Sequence, residues 1–201
     1  MPLQKLSINA KQILHFLHRA EKLKNELRHS WTSSGRNESV AEHSWRLTLM
    51  VVICSPFLSK DIDMMKAIKM AAIHDIGEII VGDCHAFKIE SDQTLSENRK
   101  QKEKEAVLEI AGSIGDSGQE LIANWLEFEK NSSKEAQIVN FLDKLEVCIQ
   151  HNESSLDTWT QDELTGIKDF YSKLQINEEF LTELKNLVVF ETEMKLEKLF
   201  L

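Results

Sequence analysis

An all-α fold is predicted by three observations. The 201 residues contain only two prolines and seven glycines. Apolar side chains recur at three- and four-residue spacing along almost the whole chain, and no stretch alternates convincingly as a strand would. The length suits one domain with one substantial core, with a motif-bearing part over about 14–153 and C-terminal helices over 161–201.

The first helix is expected from about Asn9 to about Leu27, with Ile13, Leu14 and Leu17 at amphipathic spacing. A second opens at Ser39, because Ser39 and Glu42 have the spacing of a capping box, and its "LTLMVVIC" run is apolar on all sides, which predicts a central helix. A third starts near Asp61 or Asp63, carries Ile68, Ala71 and Ala72, and runs on through "HDIGEIIVG" to a breaker at Gly82. The polar stretch from Lys88 to Glu105 reads as a loop and a solvated helix start. "GSIGDSG" is a turn, after which "ELIANWLEF", "SSKEAQIVNFLDKLEVCIQ" and two further segments continue the helical pattern.

A formal charge of −9 argues against general affinity for nucleic acid or an anionic membrane, since both require clustered Lys and Arg. The N-terminal stretch lacks a continuous apolar signal core, so a cytoplasmic location is expected. Cys54, Cys84 and Cys148 have no C-x-x-C spacing and read as small hydrophobes, not as disulfide partners or metal thiolates.

Chemistry concentrates in "HDIGEIIVGD", His74 to Asp83, four ionisable residues in an otherwise apolar segment. On a helix, His74, Asp75 and Glu78 would point to one side. His43 lies just inside the capped helix, and Asp143 is the lone acid of "VNFLDKLEV", turned inward with Val139 and Val147. Two imidazoles and two carboxylates form a mixed nitrogen and oxygen set for one divalent ion, Mn, Co, Zn, Ni or Mg, although spacing alone does not bring three helices together. Singly, each histidine reads as an ordinary paired residue. His15 and His18 read as surface histidines; His29, His85 and His151 have no assigned role, His85 being close to Asp83 in sequence. Glu38, Glu42, Arg46, Lys144 and Glu146 are either supports for the site or solvated charges.

"RHSW" (Arg28 to Trp31), "ESVAEH" (Glu38 to His43), "HDIGEIIVGD" and "FLDKLE" (Phe141 to Glu146) occur in that order, and together they resemble the HD-domain metal-dependent phosphohydrolases, in their 5′-deoxynucleotidase branch. The resemblance implies an all-α HD-domain bundle, commonly homodimeric, with one divalent metal held by His43, His74, Asp75 and Asp143. It implies Glu78 as catalytic acid, Asp83 as a second catalytic acid orienting water or substrate, Arg28 on the substrate phosphate and Trp31 beside the sugar. The implied reaction removes the 5′-phosphate of a nucleoside monophosphate, with a preference for deoxyribose. "CHAFK" stands where relatives often carry a proline-containing loop, and His29-Ser30 replaces a smaller pair. The Gly-Tyr-Pro signature of cyclic-dinucleotide phosphodiesterases is absent, and Glu78-Ile79 stands where guanosine-tetraphosphate hydrolases place two acids. A regulatory module that binds nucleotide with little turnover is the competing reading, and its mark would be loss of Glu78 or Arg28.

Overall fold

The computed structural model describes residues 8–83 and 93–197. Helix α1 spans Ile8–Ala20 and tightens into a single 3₁₀ turn over Glu21–Lys24, so the first helix stops short of Leu27. Leu27–Trp31 (β1) and Asn37–Ser39 (β2) instead pair antiparallel, Leu27 with Ser39 and Trp31 with Asn37, around a bulge. This corrects the expectation of no strand. The hairpin is too short and irregular to alternate in sequence, and its turn is closed by Gly35 at φ +79 and by the Thr32 amide donating to the Arg36 carbonyl at 2.8 Å.

Helix α2, Val40–Cys54, starts as expected: the Ser39 hydroxyl accepts from the Glu42 amide, and the Glu42 carboxylate accepts from the Ser39 amide at 2.8 Å. Asp63 caps α3, Met64–Ile73, by accepting from the Lys66 amide at 3.0 Å. The helix does not continue through the motif. From His74 to Gly77 the chain runs in tight turns, Ile76 N–H to Ile73 and Glu78 N–H to Asp75, before the single turn of α4, Glu78–Val81, which Gly82 ends at φ +73. Residues 93–105, expected as loop and helix start, lie in α5, Gln93–Gly112; a short turn leads to α6, Asp116–Lys130. Ser133 caps α7, Lys134–Glu153, and a Thr160/Glu163 capping box opens α8, Gln161–Lys173, followed by α9, Glu179–Glu197.

Helix α7 lies at the centre, packed on α2, α3, α6 and α9. One apolar cluster joins Leu47, Met70, Ile138, Leu142, Leu145 and Leu181; a second joins Val40, Ile76, Ile79, Val107, Ile110 and Trp125. Each fully buried side chain of this size contributes roughly 1.5–3 kcal/mol. On α2, His43 falls between Val40 of the second cluster and Leu47 of the first, and His74 falls between Ala71 and Ile76 in the same way, so the two histidines sit at the seam.

Helix α2 is packed against α3 and α7, as a central helix should be, but on one face only. Its inner face is buried, but Trp45 is 66% exposed and Ile53 57%, and with Leu49 and Val52 they form an apolar stripe on the outside. The pattern is apolar on both sides because one side packs inward and the other faces out uncovered. Cys54 and Cys148 are buried free thiols, as expected; Cys84 lies outside the described residues. Among the described residues no helix is long and apolar enough to cross a membrane.

Candidate metal centre

Three elements deliver four ligand-type atoms to one point. α2 supplies His43, the turn after α3 supplies His74 and Asp75, and α7 supplies Asp143. His43 Nε2 lies 2.9 Å from Asp143 Oδ1, 3.2 Å from His74 Nε2 and 3.8 Å from Asp75 Oδ2. His74 Nε2 lies 3.0 Å from Asp75 Oδ2 and 3.6 Å from Asp143 Oδ1. Both histidines are buried, while the two aspartates keep a partly exposed edge.

The other ring nitrogens fix the tautomers. His74 Nδ1 faces the Ala71 carbonyl at 3.0 Å, a pure acceptor, so it carries the proton. His43 Nδ1 meets Glu146 Oε2 at 2.5 Å and donates to it. Both Nε2 atoms face two carboxylate oxygens, an arrangement that only positive charge, carried by protons on the rings or by a bound cation, reconciles. Asp75 Oδ2 is buried with no hydrogen bond of its own. Ligands about 2.1 Å from a common ion stand about 3.0–3.4 Å apart, close to most of these separations, so the donor set fits a divalent metal. His43, His74 and Asp75 satisfy the mutual proximity a metal requires, and Asp143 adjoins that group through the two histidines.

The same electrostatics appear in the titration of the groups. Burial and Arg28 press the His43 imidazolium down, but Glu146 and Asp143 outweigh them and lift its pKa to about 10. His74 is raised as well: burial opposes, and Asp75 prevails. Burial would raise Asp75, yet His74, His43 and Arg28 hold it well below the carboxylate range. Two imidazolium N–H groups 3.2 Å apart would repel; one divalent ion supplies the same charge without that repulsion.

Behind His43 runs a second tier. Arg46 donates from Nε to Glu146 Oε1, from Nη1 to Glu153 Oε2 and from Nη2 to Gln150 Oε1, each at 2.6 Å, and Gln150 Nε2 donates to the Trp31 carbonyl at 2.6 Å. The metal-facing imidazole is thereby tied to strand β1. That strand also turns Arg28 inward, its Nε 3.4 Å from Glu38 Oε2 and its Nη1 3.5 Å from Asp75 Oδ2. Burial disfavours the guanidinium charge, but Asp75, Asp83, Glu146 and Asp143 keep it on. Burial and Glu146 raise the Glu38 carboxyl to about 7.

Glu78 stands at the start of α4, almost wholly buried. Burial first, then Asp75 and Asp83, push its carboxyl up to about 10, against Arg28 and Arg99. Gly77 lets this turn close on α5: a Cβ there would stand 3.2 Å from the Glu103 carbonyl. The Asp83 amide donates to Glu26 Oε1 at 2.9 Å, holding the Gly82 bend.

Of the residues singled out in the sequence, His43, His74, Asp75, Asp143 and Arg28 come together, and Glu78 and Asp83 adjoin them. Trp31 connects to this cluster through its backbone, by way of Gln150. Glu38, Arg46 and Glu146 touch the cluster; Glu42 caps its helix and pairs with Arg36, and Lys144 is exposed. His15 and His18 are on the surface. His29 and His151 both approach Glu163 Oε1, at 3.4 and 2.9 Å. His85 and the rest of "CHAFK" lie outside the described residues. Sequence reasoning missed Glu26, Gln150 and Arg99; the first two carried no local signal, and Arg99 was hidden in a polar run.

Residues 20–185 match the family model of the HD domain. The 5′-deoxynucleotidase HDDC2 of Dictyostelium discoideum is 35% identical over 145 residues, 68% of this chain and 74% of that protein. Human 5′-deoxynucleotidase HDDC2 is 34% identical over 148 residues, 72% of this chain and 69% of that protein. A solved structure described as a predicted metal-dependent phosphohydrolase, from Magnetospirillum magnetotacticum, superposes with a TM-score of 0.80 at 23% identity, covering 96% of both chains, and shares the fold.

Proposed function

This chain belongs to the HD-domain family, and from that premise we propose that it is a metal-dependent phosphohydrolase releasing the 5′-phosphate of nucleoside monophosphates, deoxyribonucleotides in preference, in the cytoplasm and as a single HD domain. The observation that carries the reading is that His43 Nε2 and His74 Nε2 each lie within 3.8 Å of a carboxylate oxygen from both Asp75 and Asp143.

His43, His74, Asp75 and Asp143 would hold one divalent ion, which supplies Lewis acidity toward the phosphate and acidifies a water. Water oxygen bonds to phosphorus as the P–O5′ bond breaks, giving the nucleoside and inorganic phosphate. Glu78, whose carboxyl burial and then Asp75 and Asp83 push upward, gives its proton to the departing O5′. Arg28 meets the phosphate charge from the strand side, Asp83 orients water or substrate, and Trp31 borders the sugar. Glu146 holds His43 in the tautomer that leaves Nε2 free. Glu78 and Arg28, whose loss would mark a non-catalytic module, both reach the site, which favours an enzyme.

Chelator-treated protein assayed against deoxy- and ribonucleoside 5′-monophosphates, with Mn, Co, Zn, Ni and Mg added singly, tests the reading. Activity should vanish on chelation and return with at least one of these ions, with higher kcat/KM for the deoxy series. Full turnover in protein shown metal-free by elemental analysis would remove the mechanism; equal kcat/KM for both sugars would remove only the sugar preference.

The outer stripe of α2, Trp45, Leu49, Val52 and Ile53, supports a homodimer. A patch of this kind marks an interface, and a stripe on one helix can pair with its own copy across a twofold axis. Leu49→Glu should convert the dimer to a monomer by light scattering, while a wild-type chain already monomeric at micromolar concentration would refute the assignment.

A further inference from the structure

Arg99 lies in the stretch whose charges read as solvating, yet its side chain points inward from α5. Its Nη2 donates to the Gly82 carbonyl at 2.7 Å and to Glu78 Oε1 at 3.3 Å, while its Nε pairs with Glu103 Oε1 at 2.7 Å, one helical turn on. The guanidinium thus spans three acceptors with a planar, rigid fork, and its side chain is 18% exposed. Glu78 is asymmetric as a result: Oε1 is held, and Oε2 is buried with no hydrogen-bond partner among the described residues.

A guanidinium only donates, so the oxygen it holds must accept. In a neutral Glu78 carboxyl the proton then belongs on Oε2, the oxygen without a partner. A buried donor left unsatisfied is destabilising, so such an oxygen is retained where another molecule completes it. The link to Gly82 sets the bend that presents Asp83, so one side chain fixes both acids beyond the metal ligands.

We propose that Arg99 is a positioning residue of the reaction: by anchoring Glu78 Oε1 and the Gly82 carbonyl together, it selects Oε2 as the oxygen that delivers the proton to the leaving group. The inference rests on Glu78 being the proton donor, as read above. Its role therefore concerns protonation of the leaving atom, not metal binding and not phosphate binding.

The test compares two substrates on the metal-loaded enzyme: a deoxynucleoside 5′-monophosphate, and its analogue with sulfur in place of the bridging 5′ oxygen. The leaving thiolate has a conjugate-acid pKa of about 8.5 and departs without a donated proton, whereas the alkoxide needs one. Arg99→Met should lower kcat for the oxygen ester by roughly 10–100-fold with KM and metal content little changed, and should lower it for the sulfur ester by less than about 3-fold. Arg99→Lys, which keeps the charge and loses the fork, should fall between and covers the case in which Arg99→Met folds poorly. Equal losses on both esters, or no loss on either, overturn the proposal. Glu78→Gln measured alongside separates the two ideas. If Glu78→Gln spares the sulfur ester and Arg99→Met does not, Arg99 alone is misassigned; if Glu78→Gln loses both esters equally, the proton-donor reading falls and takes the role of Arg99 with it.

Discussion

Asp143→Ala is expected to lose bound metal and activity together, with kcat/KM down by more than about 10³-fold, because several kcal/mol of transition-state stabilisation leave with the ion. The size of the effect follows from where Asp143 comes from. His43, His74 and Asp75 belong to α2 and the turn after α3, which pack on each other, while Asp143 reaches them from α7, its Oδ1 2.9 Å from His43 Nε2. It closes the site across the seam between the two apolar clusters. Metal that binds only the folded chain also stabilises it, so the melting temperature of the wild type should rise with added ion and that of the variant should not. Elemental analysis and steady-state kinetics decide the matter: an alanine variant with full metal and normal turnover would exclude Asp143 from the centre.

Glu78→Gln is expected to give the opposite pairing, metal retained and kcat lowered by roughly 10²–10⁴-fold, the scale of general acid–base catalysis. The amide keeps the shape and the contact with Arg99 but has no proton to give. The sign of the pH dependence follows from the carboxyl, which burial, Asp75 and Asp83 raise to about 10. The acid form is the active one, so wild-type kcat should decline as pH rises through the pKa of Glu78, and the glutamine variant should lack that decline. Loss of metal from Glu78→Gln would instead make Glu78 a ligand.

The legible part of the fold was the part written locally. Ser39, Glu42 and Asp63 act within their own first helical turns, so caps found in the sequence recur in the structure. The family resemblance supplied the gathering of Arg28, His43, His74, Asp75 and Asp143, which no spacing could have given. What stayed hidden depends on partners distant along the chain. Gln150 matters because it meets the Trp31 carbonyl, and Arg99 because it meets Gly82; a helical pattern records neither. The hairpin was invisible since β2 has three residues and a bulge breaks its register. The break at His74 was hidden for a related reason: its residues have helical spacing, but its carbonyl accepts from the Trp125 indole at 2.9 Å, and the close approach at Gly77 favours tight turns.

Helix α5 carries Arg99, Glu103 and Val107 at four-residue intervals, and this one ridge meets Glu78, Gly82 and Gly77. The surrounding lysines and glutamates are interchangeable with respect to those contacts, but the phase of the helix is not. One residue inserted between Arg99 and Glu103 turns Arg99 about 100° around the axis, away from the motif, whereas any number of charge reversals on the outer face leaves it in place. Over evolutionary time, then, the outer face of this segment is expected to drift in composition while Arg99 and its spacing to Glu103 and Val107 stay fixed, so that the absence of gaps is as informative as the identity of residues.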